Sequence, residues 1–300
     1  MKILVLGSAA GGGFPQWNSD APGCRRARAG DPGARPRTQA SIAVSADGAR
    51  WTLLNASPDV REQIGHTPAL HPHGGGRHSP ISAVVLTGGD VDVIAGLLTL
   101  RERQPLTLLA TPRIHGVLDA NPIFEVLARD LVSRRSVALD VPQPLDGGLS
   151  VTLFAVPGKV PLFLEDGDAM LTVQADETTV GALVSDGRHR LFYIPGCAAM
   201  TPDLTARLNG ADMVFFDGTL WRDDEMVVAG LGSKTGRRMG HMSLSGDEGT
   251  LAAFRSIEVG RKVIIHMNNS NPVLLADTPE RTEAEDAGWI VGEDGMEFAL

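Results

Sequence analysis

The segment AVVLTGGDVDVIAGLL, residues 83–98, combines a strand, a polar loop and the beginning of a helix. Its apolar run predicts a strand over 81–86 that is covered on both faces, as in a sheet packed between other layers. Apolar residues then recur at helical spacing, which predicts a helix over 94–102. Asp90 and Asp92 lie in the loop between them. Because ligand sites of α/β proteins form at such strand ends, this loop is a candidate site.

The rest of the chain alternates strands and helices in two blocks. Apolar runs predict further strands over 3–6, 40–45, 51–55, 106–110, 149–156, 180–185, 190–194, 213–216, 263–265, 289–291 and 296–298. Helical spacing predicts further helices over 60–64, 112–118, 125–133, 203–208, 246–254 and 279–287. Two blocks of strands, each followed by helices, predict an α/β protein with two packed sheets and helices outside, an αββα sandwich. No low-complexity linker divides the chain, so we expect one domain over residues 1–300.

The composition argues against several classes of function. A net charge of −9 disfavours nucleic-acid binding, which requires a surplus of lysine and arginine to neutralise phosphates. The sequence contains no continuous apolar run of the length that a membrane span requires. The short apolar run at residues 3–6 predicts a first strand rather than a signal peptide, so the expected compartment is the cytoplasm. Cys24 and Cys197 support no disulfide framework.

Two motifs have both a functional and a structural interpretation. Three glycines at 11–13 follow the first strand, but a dinucleotide loop requires G-x-G-x-x-G at the start of a helix, and Phe14-Pro15 follows instead. The tract HPHGGGRH, residues 71–78, has the composition of a metal-binding tract or of an exposed linker, and the linker is the more frequent case. We therefore seek the site elsewhere.

Acidic and imidazole side chains gather after the predicted strands. Asp92, Asp217 and His266 each follow an apolar strand, and His241 lies in the polar stretch RRMGHMS. Two carboxylates and two imidazoles suit a divalent metal such as Fe²⁺, Mn²⁺ or Zn²⁺. Two histidines with one aspartate would match the facial triad of non-haem Fe(II) oxygenases, which leaves positions open for O₂.

Three of these residues also have a structural alternative. Asp92 could cap the helix that begins near Val93. Asp217 could organise the turn at residues 217–219. His266 could be a hydrogen-bonded histidine at a strand end. The convergence of all of them with His241 would favour the metal.

The stretch HMNNSNPVL, residues 266–274, is rich in asparagine. The side chains of Asn268, Asn269 and Asn271 are both donors and acceptors, so the run could orient His266 or bind an amide or a carboxylate. The structural alternative is a turn that ends at Pro272.

Long stretches between residues 6 and 274 carry a family resemblance. They read LGSAAGGGFPQWN, RPRTQASIAVS, LNASPDVR, GLLTLRE, VPGKVPLFLED, YIPGC, DGTLWRDDEM, KTGRRMGH and IHMNNSNPVL. At these stretches the sequence resembles the PQQ biosynthesis protein B family, a branch of the metallo-β-lactamase fold. The resemblance spans nearly the whole chain and implies a four-layer αββα sandwich with its site at the rim of the sheets.

The resemblance implies a role in making pyrroloquinoline quinone (PQQ) from a peptide precursor that carries glutamate and tyrosine. One function implied for the family is oxygenation of the tyrosine ring by a bound iron. The older one is a carrier role, in transport of PQQ or its precursor to the periplasm. The implied partners are the peptide-derived precursor and other PQQ biosynthesis proteins, and a homodimer is left open.

On the oxygenase interpretation, the resemblance assigns roles to residues. The metal ligands map to Asp92, Asp217, His241 and His266. The catalytic candidates are Asp217, His241 and His266, and either histidine could act as acid or base. The substrate contacts map to Arg237, Asn268, Asn269 and Asn271, with a cationic loop that attracts the carboxylates of the peptide. Fe(II) is the favoured cofactor, and zinc is the alternative.

Two departures from the family affect metal binding. The family has Asp-His where this chain has Asp92-Val93, and valine cannot ligate a metal. The T-H-x-H-x-D-H frame of binuclear metallohydrolases also lacks histidine at Gly88 and Asp90, so binuclear hydrolysis is not expected. The C-x-C-x-x-C cluster of the family is reduced to Cys24, so a structural zinc there is not expected either. Both departures predict weaker metal binding and leave open whether this chain is an enzyme or a carrier.

Overall fold

The structure, a computed structural model, describes residues 1–159 and 174–300. Within these residues the strands form two sheets of seven strands each. In chain order they are β1 (Lys2–Gly7), β2 (Ser41–Ser45), β3 (Trp51–Leu54), β4 (Ile81–Val85), β5 (Leu106–Ala110), β6 (Val132–Ser136), β7 (Gln143–Pro144), β8 (Ser150–Gly158), β9 (Gln174–Ser185), β10 (Arg190–Ile194), β11 (Ala211–Asp217), β12 (Val259–Ile265), β13 (Trp289–Val291) and β14 (Glu297–Ala299). The first sheet has the order β14-β1-β2-β3-β4-β5-β6, and the second has the order β13-β12-β11-β10-β9-β8-β7. The stretch VPGKVPLFLED extends past residue 159 and therefore lies partly outside the described residues.

Each sheet has a parallel part whose strands end at the same edge. In the first sheet β3, β4 and β5 run parallel, and in the second sheet β10, β11 and β12 do. Other pairs are antiparallel, for example β1 with β2 and β8 with β9. Because the carboxyl ends of parallel strands meet at one edge, the residues that follow them are brought close together.

The strands of the second sheet are buried on both faces. Leu191 and Tyr193 of β10 belong to the core that this sheet shares with the first sheet. Phe192 and Ile194 of the same strand belong to a separate core on the outer face. Successive side chains of a strand point to opposite faces, so this alternation places the sheet between two apolar layers. Continuous apolar strands predict this arrangement.

The described ranges also contain nine α-helices. They are α1 (Pro22–Arg28), α2 (Val60–His66), α3 (Val91–Ile94), α4 (Pro112–Asp119), α5 (Pro202–Leu208), α6 (Glu225–Val228), α7 (Gly236–Met239), α8 (Thr250–Ala253) and α9 (Pro279–Asp286). Ile114 and Leu118 of α4 pack into the core that includes the first sheet, whereas Leu204 of α5 and Ala284 of α9 pack on the second. The predicted αββα sandwich is confirmed. None of the helices in the described ranges has the length and apolar content that crossing a membrane requires.

Four predicted helices are confirmed within a few residues, and three differ from the structure. The helix predicted over 125–133 is wrong, because a 3₁₀ turn (Pro122–Val126) is followed there by the edge strand β6. β6 forms because it pairs in parallel with β5. A pairing between segments that are distant in the chain cannot be recognised from the local spacing of apolar residues, so the prediction missed it. The helix predicted over 94–102 is instead α3 followed by a 3₁₀ turn (Ala95–Leu98). Of the helix predicted over 246–254, only α8 and the start of a further 3₁₀ turn are formed.

The histidine tract at residues 71–78 is a largely exposed loop. The His73 N–H donates to His78 Nε2 at 2.7 Å, so these two histidines contact each other across the loop. The linker interpretation describes this segment.

Close backbone packing at Gly96 fixes the segment that carries Asp92. The Gly96 N–H donates to Ala56 O at 2.8 Å, and the Ala56 N–H donates to Val93 O at 2.9 Å. A Cβ at Gly96 would lie 2.0 Å from the carbonyl oxygen of Ser57, so no larger residue fits unless the backbone moves. This approach sets the position of α3 against the segment that follows β3.

We expect Gly96→Ala to destabilise the fold by about 2 kcal/mol, because overpacking a well-packed site typically costs about 1–3 kcal/mol. Gly65→Ala in α2 is the matched control, since a Cβ there meets no atom within 4 Å and alanine favours a helix. Urea denaturation followed by circular dichroism measures both free energies of unfolding. Equal stability of the two variants would contradict the close approach at Gly96.

Candidate functional site

A cavity of about 420 Å³ lies at the edge where the parallel strands end. Asn55 and Thr87 reach it from the segments that follow β3 and β4, and His266 reaches it from the end of β12. Asp92 of α3 and His241, which lies beyond α7, also line it. Three of the four predicted metal ligands therefore line the same cavity.

Asp217, the fourth predicted ligand, is completely buried at the end of β11. Its Oδ1 accepts hydrogen bonds from the Thr219 N–H at 3.0 Å and from the Thr219 hydroxyl at 2.6 Å. Its Oδ2 accepts from the Cys197 N–H at 2.9 Å and lies 2.6 Å from His241 Nδ1. The predicted turn at residues 217–219 is confirmed, and the same carboxylate also holds His241.

The Thr219 hydroxyl joins the two histidines. Its Oγ1 lies 3.0 Å from His241 Nδ1 and 2.9 Å from His266 Nδ1. The two imidazole rings stack with centroids 5.3 Å apart and an interplanar angle of 22°. Both rings therefore turn the same nitrogen toward one hydroxyl. Thr219 was not selected from the sequence, although its place two residues after Asp217 in the DGT turn was a usable signal.

Asp92 contacts the other ring nitrogen of His266. Its Oδ2 lies 3.0 Å from His266 Nε2. The cap position of α3 is occupied by Asp90, and Asp92 lies inside the first turn, so the helix-cap alternative for Asp92 is wrong. Its side chain keeps 18% exposure and lines the cavity. Asp92 is thus a cavity carboxylate.

His266 and Asn55 both adopt a left-handed backbone conformation directly after a strand. Their φ angles are 59° and 68°. Asparagine and histidine adopt this conformation more often than most residues, but for any residue other than glycine it stores of the order of 1–3 kcal/mol. Strain of this kind concentrates at functional sites, where the surrounding structure holds it in place. In this chain it accompanies two side chains that line the cavity.

The charged groups around the cavity stabilise one another. Burial raises the pKa of Asp217, but the nearby His241 outweighs burial and holds that pKa below its usual value. Burial likewise opposes ionisation of Asp92, and the contact with His266 lowers the pKa of this carboxyl overall. Burial lowers the pKa of His266, whereas Asp92 and Asp217 together raise it above its usual value. The cluster therefore favours ionised carboxylates, which are the form that binds a cation.

One group of side chains in the described ranges has the spacing of a metal site. Within residues 1–159 and 174–300, donor atoms of Asp217, His241 and His266 all lie within 4.8 Å of one another.

Cys24 is buried in α1, and its thiol lies 3.6 Å from Asn269 Oδ1.

The asparagine-rich stretch is divided between the cavity and the scaffold. Asn268 lines the cavity. Asn269 Nδ2 donates to Gln16 Oε1 at 2.6 Å, and Asn271 Nδ2 donates to Gly218 O at 2.8 Å. Asn269 and Asn271 do not line the cavity, so the structure does not bring these two predicted substrate contacts to the site. Asn271 caps a 3₁₀ turn at Pro272–Leu274, which begins at Pro272, where the turn alternative predicted an end.

Lysines, rather than the predicted arginine, line the cavity. Arg237 of α7 is exposed, pairs with Glu248 and lies outside the cavity lining. Lys159 and Lys234 line the cavity, and neither was selected from the sequence. Lys159 directly follows β8, so the strand-end rule that selected Asp217 and His266 would have found it.

The stem of Lys159 passes over the end of α7. Gly240 ends this helix with φ 82°, and a Cβ there would lie 2.8 Å from Lys159 Cγ. Met226 and Met239 line the cavity beside these residues. This part of the wall thus combines two lysines with two thioether side chains.

Cys197 is buried behind Asp217, and burial with the Asp217 charge raises the pKa of its thiol to about 12. We expect Cys197 of the native protein to resist alkylation by iodoacetamide at pH 8, because the thiolate is the reactive form. Mass spectrometry compares native protein with guanidinium-unfolded protein, in which labelling should be complete. Labelling of native Cys197 at the rate of an exposed thiol would contradict this burial.

Comparisons with known proteins agree with this fold. Residues 50–267 match the family model of the beta-lactamase superfamily domain. Coenzyme PQQ synthesis protein B of Gluconacetobacter diazotrophicus is 63% identical, over 99% of this chain and 98% of that protein. The protein of the same name from Xanthomonas campestris pv. campestris strain B100 is 57% identical over the full length of both.

Solved structures show the same relationship. The crystal structure of Zn²⁺-bound PqqB from Methylobacterium extorquens superposes with a TM-score of 0.97 at 55% identity, over 100% of both chains. A diphosphatase of the PhnP family shares the fold with a TM-score of 0.69 at 19% identity, over 100% of this chain and 97% of that one. The chain therefore belongs to the coenzyme PQQ synthesis protein B family of the beta-lactamase superfamily.

Proposed function

We propose that this chain acts in PQQ biosynthesis as a metal-dependent oxygenase that hydroxylates the tyrosine of a peptide-derived precursor. The observation that carries the proposal is the convergence of Asp92, His241 and His266 on one cavity, with Asp217 buried behind His241. Two imidazoles with a carboxylate are the donor set of non-haem Fe(II) oxygenases. The names of the relatives support the pathway, and other proteins of that pathway would supply the precursor.

The side chains present fit a divalent cation. His241 and His266 have donor atoms within 4.8 Å of each other, and two carboxylates, Asp217 and Asp92, lie beside them. Such ligands suit both Fe²⁺ and Zn²⁺. The related PqqB binds Zn²⁺ in its crystal structure, which supports a divalent ion here. We favour Fe²⁺ because hydroxylation of an aromatic ring requires activation of O₂.

Fe²⁺ held by these residues would supply O₂ activation, and the side chains of the chain position the substrate. Lys159 and Lys234 attract the carboxylates of the precursor. Met226 and Met239 offer apolar contacts to the aromatic ring. Asn268 can both donate and accept a hydrogen bond and so helps to orient the substrate.

Val93 lines the cavity at the position where the family carries histidine. We expect Val93→His to raise Zn²⁺ affinity at least about tenfold, roughly 1.4 kcal/mol, because it adds a ligand beside Asp92. Val93→Leu is the control, since it enlarges the side chain without adding a donor. Competition with a chromophoric chelator measures both affinities. If Val93→His binds no tighter than Val93→Leu, position 93 does not face the metal.

Anaerobic reconstitution with Fe²⁺ tests the proposed oxygenase directly. We expect uptake of about one ion per chain and, once O₂ and a two-electron reductant such as ascorbate are added, an oxygen-dependent mass gain of about 16 Da on a tyrosine-containing precursor peptide, with the second oxygen atom reduced to water. Asp92→Asn, which removes the carboxylate charge beside His266, should lose both effects. Failure of the unmodified protein to take up iron and to alter the peptide would exclude the oxygenase.

A carrier for PQQ or its precursor is the second candidate function. Val93 favours it, because an apolar side chain replaces a metal ligand while Lys159 and Lys234 still line the cavity. Micromolar binding of PQQ to metal-free protein, lost in Lys159→Ala/Lys234→Ala, would support the carrier. Equal binding by that double variant would exclude a carrier site in this cavity.

A further inference from the structure

We propose that Asp217 and Thr219 position the two histidines and do not bind the metal themselves. In this assignment the cation is held by the Nε2 atoms of His241 and His266 together with the carboxylate of Asp92. The inference rests on the proposed metal-dependent function and specifies which atoms of the site carry it out.

The carboxylate of Asp217 has no acceptor position left for a metal. A carboxylate offers about four lone-pair directions, two on each oxygen. In the described part of the chain, Thr219 uses both positions on Oδ1, and the Cys197 N–H and His241 Nδ1 use both on Oδ2. Coordination by Asp217 would require one of these buried donors to lose its partner, which typically costs about 1–3 kcal/mol.

The spacing of the atom pairs separates a hydrogen bond from a pair of ligands. Two ligand atoms about 2.1 Å from one ion and at least about 90° apart lie roughly 3.0 Å or more from each other. Asp92 Oδ2 and His266 Nε2 are 3.0 Å apart, a distance that allows a hydrogen bond without the ion and two ligands of one ion when it is bound. Asp217 Oδ2 and His241 Nδ1 are 2.6 Å apart, which is too short for such a pair and fits a charge-assisted hydrogen bond.

The Thr219 hydroxyl determines which nitrogen of each ring faces the cavity. Its single proton goes to the ionised Asp217 Oδ1 at 2.6 Å, a shorter and more strongly charged acceptor than His266 O at 3.1 Å. The hydroxyl oxygen then accepts from Nδ1–H of His266 at 2.9 Å, whereas Nδ1–H of His241 donates to Asp217 Oδ2 at 2.6 Å and passes within 3.0 Å of the same hydroxyl oxygen. A neutral imidazole that donates from Nδ1 keeps its lone pair on Nε2. Both rings therefore offer Nε2 to a cation.

The surroundings of the two carboxylates support this division. Asp217 is fully buried and does not line the cavity, whereas Asp92 keeps 18% exposure and does. A carboxylate that holds the far nitrogen of a metal-binding histidine is a common feature of metal sites and sets the ring orientation. Asp217 performs that task for His241, and Thr219 extends it to His266.

Nitrogen-15 NMR of the full-length protein, loaded with Zn²⁺ alone, tests the assignment. His241→Gln and His266→Gln identify the two sets of ring signals. We expect the Nε2 signals of both histidines to take metal-bound shifts while both Nδ1 atoms keep their protons. Metal bonded to Nδ1 of either ring would overturn the inference and leave the oxygenase standing. Absence of Zn²⁺ and Fe²⁺ uptake by the unmodified protein would instead remove the proposed function.

Variants of Thr219 test its positioning role. Thr219→Val should weaken Zn²⁺ binding about 10- to 100-fold, the usual effect of losing a partner that orients a metal-binding histidine. Thr219→Ser keeps the hydroxyl and should bind within about threefold of the unmodified protein. Thr250→Val is the matched control, because Thr250 is equally buried and its hydroxyl has no hydrogen-bond partner among the described residues. Undiminished Zn²⁺ affinity in a folded Thr219→Val protein would refute the role.

Discussion

The hydrogen-bonded carboxylate of Asp217 is the constraint on which the candidate site depends. An ionised carboxylate removed from water is costly unless its oxygens are satisfied, and Asp217 has no exposed surface. Its donors come from the segment after β10, from the turn after β11 and from the loop after α7. These three segments must therefore take up their positions together, because the displacement of any one would leave a buried charge without a partner.

The two packed sheets provide the rigid frame for this arrangement. Apolar side chains on both faces of the second sheet fix β10, β11 and β12, so the residues that follow these strands leave from a common edge. The first sheet adds Asp92 through a close approach between Gly96 and Ser57. Such packing also supports the strained backbone of His266, which a looser frame would not hold.

The cavity differs from a binuclear hydrolase site in the chemistry of its walls. Gly88, Asp90 and Val93 line it where imidazoles would stand in that class, while Lys159 and Lys234 add positive charge. A site with few metal ligands and cationic neighbours is suited to an anionic ligand beside a single cation. Valine at position 93 is therefore compatible with both candidate functions. The lysines can attract an anionic substrate of an oxygenase or an anionic molecule that a carrier binds.

The sequence by itself determined the layers of the fold and three residues of the candidate site. Period-two and continuous apolar runs depend on the local chain, so they predicted the strands, the sandwich and the strand-end positions of Asp92, Asp217 and His266. The helix predicted over 125–133 failed because strand pairing with β5 overrides local preference.

Only the tertiary structure decided which side chains meet and what each of them does. Asn269 and Asn271 looked the same as Asn268 in the sequence, yet they bond to the scaffold and not to the cavity. Thr219 gained its importance because two histidines from distant loops converge on its hydroxyl. Hydrogen bonds act over about 3 Å in space, whatever the separation along the chain, so only the folded chain fixes these partners and the roles that follow from them.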